Sequence, residues 1–512
     1  MKKMVAVLSA LSVMLLATLA QAGMNTQTWT GSYASCVQCH KTKFTEMAGA
    51  THYKWEGAYT QITNKATSTS GGKVNSAMNT FCINVLGNWN GCGSCHVGGG
   101  LKPGTVADPN TNIDCLICHQ KDYKRVRNTT TGKFEPDTAN MTITMDQAVQ
   151  TVHKPIKSNC LQCHAKGGGG DALKRGDLAL INGTTTDRNY DVHMASTGAN
   201  LVCQGCHTVT NHKVAGRGSD LRPKDSTVAI GCSSSKCHSS KTNLSTSHTT
   251  YDVSHHVGRV ACQTCHIPVY GKKAADAVYN PTTGFGDQAT EYDRTWQVPE
   301  WSVANNRWEP TIHKANNLKP VYLFFDGKSW VSDFNDVAVL DAATGKYKIS
   351  RPNGSINGAG SKLYPFKYKT SLQPRHIASG KLIALNTSVY FKTADVAGAI
   401  QSGLTNMGLN AADAYDYVQT DEYLMLNHTV SPKASALTCN ACHGATATQM
   451  NLKALGYVLK AAESTVCTQC HSAKSNPGFA SVHSKHVQSL KKDCSFCHSF
   501  SRASERSLST RK

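Results

Sequence analysis

Ten short stretches of this chain carry two cysteines and a histidine in an order that suits one kind of chemistry. Nine follow C-x-x-C-H: Cys36-Cys39-His40, Cys92-Cys95-His96, Cys115-Cys118-His119, Cys160-Cys163-His164, Cys203-Cys206-His207, Cys262-Cys265-His266, Cys439-Cys442-His443, Cys467-Cys470-His471 and Cys494-Cys497-His498. The tenth, Cys232-Cys237-His238, has four residues between its cysteines. Two thiols three residues apart reach the two vinyl groups of one porphyrin, and the histidine that follows turns its ring onto the iron. Each motif is half of a covalent haem c site, so ten motifs imply ten haems; in the expanded copy the loop must bulge for both sulfurs to reach. Zinc sites built from C-x-x-C pairs need no histidine after every pair, and disulfides or thioredoxin-like redox pairs give that histidine no role. The motifs consume all but one of the 21 cysteines, leaving Cys82 as a reactive thiol, an intermolecular bridge or a small buried apolar residue.

The second axial position of each iron needs a ligand from elsewhere. Twelve of the 22 histidines lie outside the motifs: His52, His153, His193, His212, His248, His255, His256, His313, His376, His428, His483 and His486. They suffice to close nearly every iron with two imidazoles, the six-coordinate state that suits electron transfer, whereas an iron with an open or weak position binds substrate. All but His313 and His376 are the candidate distal ligands. His483 and His486 sit three apart between the last two motifs, where one helical turn serves two neighbouring haems.

The elements that must position these groups are sparse in the sequence. Met1-Lys2-Lys3, an apolar run from Met4 to about Leu19 and an Ala-Gln-Ala ending at Ala22 make a secretory signal, with cleavage near Ala22 and a periplasmic or extracellular destination. Hydrophobic residues are 40% and charged residues 17% of the chain, as in a soluble globular protein. A formal charge of +20 ordinarily points to an anionic partner, yet the two propionates of each haem offset it almost completely in the reduced state, so no nucleic-acid role follows.

Along the chain, a signal peptide (1–22) precedes a seven-haem domain (23–270), a haem-free segment (271–435) and a three-haem C-terminal segment (436–512). The expected fold is a mainly α multihaem cytochrome with long loops packed around a haem core, carrying a haem-free α+β insertion. Val337–Leu340 and Tyr347–Ile349 read as strands about a Gly345 turn, and a helix opens at Thr393. The insertion either packs over haem edges or offers a docking surface to a partner or a second copy.

Several stretches resemble the octahaem tetrathionate reductase family of c-type cytochromes. They are Phe81-Cys82-Ile83, Asn112 to His119, Gly168 to Asp177 and Val260 to Pro268, then Tyr364 to Lys367, His428 with Val430 to Lys433, and Leu455-Gly456-Tyr457. The resemblance implies a compact cluster of mostly bis-histidine haems, with one haem, on Cys92, Cys95 and His96, whose distal ligand is a lysine. Lys174 matches that ligand, with Lys124 as the alternative, and Cys82 matches an extra cysteine beside that haem in the family. It also implies reduction of tetrathionate or nitrogen oxyanions. The two motifs at Cys467 and Cys494 lie beyond the match and exceed the family's eight, which favours an electron conduit serving redox partner proteins over a terminal reductase.

Overall fold

The computed structural model describes residues 26–105, 112–164, 187–216, 230–234, 237–238, 248, 256–272, 290–303, 305–315, 317–443, 447–468, 470–471, 477–492 and 494–499. The apolar leader, Lys174 and His255 lie outside the described residues. By internal contact the chain forms two compact units: one takes the chain up to Trp55 with Asn88–His164 and Val209–Val214, the other Glu56–Gly87, Ala165–Thr208 and everything from Ala215 on.

In the first unit, α1 (Val37–Ala48) carries the first motif and is interrupted at His40, whose φ of −115° and ψ of 31° leave the helical region. α2 (Lys157–His164) carries the fourth motif. A two-residue turn joins β1 (Val209–Thr210) to β2 (Lys213–Val214) as an antiparallel hairpin. Phe44, Tyr53, Ile113, Leu116 and Ile117 form the core, and the motif cysteines Cys36, Cys115, Cys118 and Cys163 pack against it.

The second unit holds α3 (Cys262–His266), the seventh motif, and then a seven-stranded sheet. Its strands are β3 (Thr290–Ser302), β4 (Arg307–Ala315), β5 (Val321–Phe325), β6 (Leu340–Asp341), β7 (Lys346–Lys348), β8 (Lys362–His376) and β9 (Tyr415–Met425). The order is β6-β7-β9-β8-β3-β4, with β5 also on β8. β8 and β9 run antiparallel in unbroken register from Phe366 opposite Met425 to His376 opposite Tyr415. Between β8 and β9 the chain forms α4 (Thr387–Thr393) and α5 (Val396–Asn406). They bury Tyr390, Ala399, Ile400 and Leu404 with Trp296 and Val418. α6 (Phe479–His483) and a π-helical turn over Ser484–Ser489 lie in the C-terminal tail.

The mainly α expectation does not hold as stated, since strand is as prominent as helix among the described residues. With no porphyrin to fill its centre, the haem-free segment needs a core of its own, and a twisted sheet covered by two helices supplies one. Of the strand expected at Val337–Leu340 only Leu340 is in β6, while Val337 makes an isolated bridge to Lys381. Thr393 closes α4, and the helix expected there starts at Val396 under an Asp395 cap that accepts from Gly398 N at 2.8 Å.

Candidate haem centres

Most motifs fold as a tight turn or short helical turn, while the first and fourth lie on longer helices. The histidine N–H donates to the carbonyl of the first cysteine in His119 (3.1 Å), His207 (2.8 Å), His443 (2.9 Å), His471 (3.0 Å) and His498 (3.0 Å). The expanded motif keeps this bond: His238 N donates to Cys232 O at 3.2 Å across the two extra residues. The ends of the expanded motif are thus joined by the same backbone bond as in the shorter ones. At the third motif the buried Asp114 accepts from Leu116 N at 3.1 Å, capping the turn, and pairs with Arg125 at 3.0 Å.

Two imidazoles sharing one iron, at metal–nitrogen bonds of about 2 Å and about 1.1 Å from nitrogen to ring centre, have ring centres about 6 Å apart. Seven motif histidines face a second histidine at that spacing, 5.8–6.4 Å, among the described residues. The pairs are His164 with His52, His119 with His212, His238 with His193, His207 with His428, His266 with His248, His443 with His256, and His471 with His486. In the last pair the Nε2 atoms point at each other, 3.5 Å apart. These residues fit bis-histidine haem iron. Burial pushes His119, His193, His266 and His498 below the ordinary imidazole value, which favours the neutral ring that binds a metal.

His483 interacts with His498, and its ring also lies 6.4 Å from that of His443. Its π-helical continuation carries His486, so the tail helix presents the two rings to two different motifs. His153 accepts from Lys121 N through Nε2 at 3.0 Å, and its carbonyl lies 2.9 Å from His119 Nδ1. His313 on β4 and His376 at the end of β8, where it pairs with Asp413 at 3.1 Å, belong to the sheet.

His96 differs. It is fully buried, its ring neighbours are Tyr53, Trp55 and Trp89, and burial pushes it down to about 4. Lys124 is exposed. Cys82, in the other unit, sits half-buried in a turn whose amides from Phe81 and Cys82 donate to Asn79 Oδ1, and whose Ile83 takes a φ of 58°. Around that turn the sheet sets Arg294 donating to Phe81 O, Glu422 accepting from Thr80 N at 3.1 Å, Gln373 donating to Asn79 O at 3.1 Å, and Lys369 over the Phe81 ring. None of these anchors was read from the sequence, because buried charge on a strand leaves no periodic signal.

Thiols of different motifs lie close to one another. In the first unit Cys36 neighbours Cys115, and Cys163 neighbours both Cys118 and Cys95. In the second, Cys206 neighbours Cys237, Cys232 neighbours Cys262, Cys265 neighbours Cys439 and Cys442, and Cys497 neighbours Cys467 and Cys470. The attachment points of the first unit thus form one series, and those of the second form two, one running from Cys206 to Cys442 and one joining the two tail motifs.

Residues 305–446 match the family model for bacterial cytochrome c. The crystal structure of an octahaem cytochrome c from Shewanella oneidensis superposes with a TM-score of 0.68 at 28% identity, over 85% of this chain and 96% of that one. An uncharacterized protein from Archaeoglobus fulgidus is 30% identical over 227 residues, which span 73% of that protein and 35% of this chain.

Proposed function

The chain belongs to the octahaem tetrathionate reductase family of multihaem c-type cytochromes, and from that premise we propose that it is an exported electron conduit carrying ten haems. Bound haem c supplies reversible one-electron chemistry, and the protein's part is to hold each iron in a fixed ligand set and to bring the attachment points within short steps of one another. The seven facing histidine pairs carry this reading, because an iron closed by two imidazoles has no position left for a substrate. Its partners are redox proteins that deliver and collect electrons in respiratory or extracellular transfer. Removal of the leader near Ala22 delivers it to the periplasm or beyond, and no described helix is long and apolar enough to cross a membrane. Intact-mass measurement of the mature holoprotein, expected to return ten haems, combined with ferric electron paramagnetic resonance, expected to show low-spin signals for nearly all of them, tests the proposal. Eight haems, or a high-spin majority, overturns it.

One observation favours a second role. His96 is enclosed by Tyr53, Trp55 and Trp89 rather than by a histidine, so the haem on Cys92 and Cys95 is where a different distal ligand fits. With Lys174 as that ligand and Cys82 as the accompanying thiol, both as the family resemblance implies, the haem would reduce tetrathionate, nitrite or hydroxylamine. Turnover with none of the three, unchanged by Cys82→Ser, leaves conduction as the whole task.

A further inference from the structure

We propose that Glu46 is a positioning residue that lowers the reduction potential of the haem on Cys115 and Cys118 by hydrogen bonding to its distal ligand, His212. The proposal rests on the pairing of His212 with His119, whose ring centres are 6.4 Å apart. His212 Nδ1 lies 2.8 Å from Glu46 Oε2. Other ligand histidines use a peptide carbonyl at this position: His119 meets His153 O at 2.9 Å, His207 meets Ala215 O at 2.9 Å and His486 meets Val482 O at 3.0 Å. His212 instead meets a full negative charge.

The backbone around it is built for the purpose. The two residues of the β1–β2 turn, Asn211 and His212, have φ of 50° and 60°, a left-handed pair matching a tight hairpin turn. A histidine there costs about 1 kcal/mol, and the turn holds its ring against Glu46. Opposite, α1 carries the first motif's Cys39 and His40 and then Glu46, so one helix serves two haem sites. Lys43, one turn back, takes the other carboxylate oxygen, Oε1, at 2.8 Å and fixes the carboxylate's orientation. A cavity of ≈ 410 Å³ lined by Thr42, Thr45, Glu46, Gly49, Asn211 and Lys213 adjoins the pair.

A carboxylate accepting from Nδ1 draws that proton toward itself and makes the imidazole a stronger electron donor through Nε2. The ferric ion gains more from a stronger donor and a nearby negative charge than the ferrous ion does, so the potential falls. Lys43 opposes this by withdrawing charge from the same carboxylate. The two residues therefore predict shifts of opposite sign.

The test is a spectroelectrochemical titration of the full-length holoprotein. Glu46→Gln should raise one one-electron component so that its oxidised-to-reduced ratio at fixed solution potential falls about tenfold, equivalent to about 59 mV. Lys43→Gln should move the same component down. His212→Met, with its changed near-infrared charge-transfer spectrum, identifies which component belongs to that haem. The proposal is overturned if no component moves in Glu46→Gln, if the two charge variants shift it in the same direction, or if the component that moves is not the one His212→Met alters. None of these outcomes changes the haem count, so failure here is distinct from failure of the conduit.

Discussion

Lys369 is fully buried, with its ammonium paired to Glu291 and 3.5 Å from the centre of the Phe81 ring. Burial outweighs the attraction of Glu291 and, with help from Arg294, brings the amine down to about 8. Because this lies below the value of about 10.4 in the unfolded chain, between those two pH values the unfolded state holds a proton that the folded state has released. Stability therefore rises with pH through that window, by at most about 3 kcal/mol from this group. Comparing denaturant midpoints at pH 7.5 and 10 should show that Lys369→Met removes part of the wild-type rise; an unchanged rise refutes the assignment. Arg294 holds Glu291 through Nε at 2.8 Å and Nη2 at 2.7 Å and also donates to Phe81 O. Arg294→Met should cost about 3–5 kcal/mol, since it leaves the buried Glu291 carboxylate to Lys369 alone and removes the donor to Phe81 O beside the Cys82 turn. At this scale the haem c class was legible in the sequence, because C-x-x-C-H is set by the reach of a porphyrin and tolerates little else, whereas the number of haems rests on the motif count. The distal partners were legible only as a pool of histidines. A face-to-face pair such as His207 and His428 is made by folding over more than two hundred residues and leaves no local pattern.

Among the elements, α5 makes a close backbone approach to the Ala384–Leu385 segment at Gly403. A methyl group added there would stand 2.7 Å from Leu385 Cα and 2.8 Å from Ala384 O, both backbone atoms that cannot swing aside. Gly403→Ala should therefore cost about 1–3 kcal/mol despite the better helix propensity of alanine, read as a lowered thermal midpoint with all haem signals retained. A neutral or stabilising result would mean that α5 can lift off the Ala384–Leu385 segment at no cost. The long strands β8 and β9 escaped sequence reading for a physical reason. In β8, Lys367, Lys369, Ser371 and Gln373 are all buried, so polar residues occupy the face that a hydrophobic alternation would have marked. The short hairpin from β6 to β7 was visible because its Gly345 turn, at a φ of 67°, is a local signal that needs no tertiary partner.

At the scale of the whole molecule, the tail beyond residue 460 carries the two motifs that the proposed ten-haem count adds to eight, and it closes on itself. Leu459 bridges to His498, Lys460 N donates to Cys497 O at 2.9 Å, and Ser499 N donates to Val458 O at 3.0 Å, so the segment closes on its own root. Inside the closed loop His471 faces His486 and His483 interacts with His498, which would give both tail haems their own distal ligands. A module that supplies its own ligands and its own closure can be removed without unfolding its neighbour. Among the described residues His483 also approaches His443, the histidine of the eighth motif, at 6.4 Å, which on the conduit proposal makes that motif the junction between the tail and the other haems. Ending the chain after Ala461 should leave a protein of eight haems by intact mass, with the low-spin spectra of the remaining sites preserved, because His256 still faces His443 at 5.9 Å. Exchange with a redox partner should slow, since the exposed end of the path is gone. If the truncated protein fails to load the first seven haems, the tail is structural; if exchange is as fast as before, electrons leave by another route.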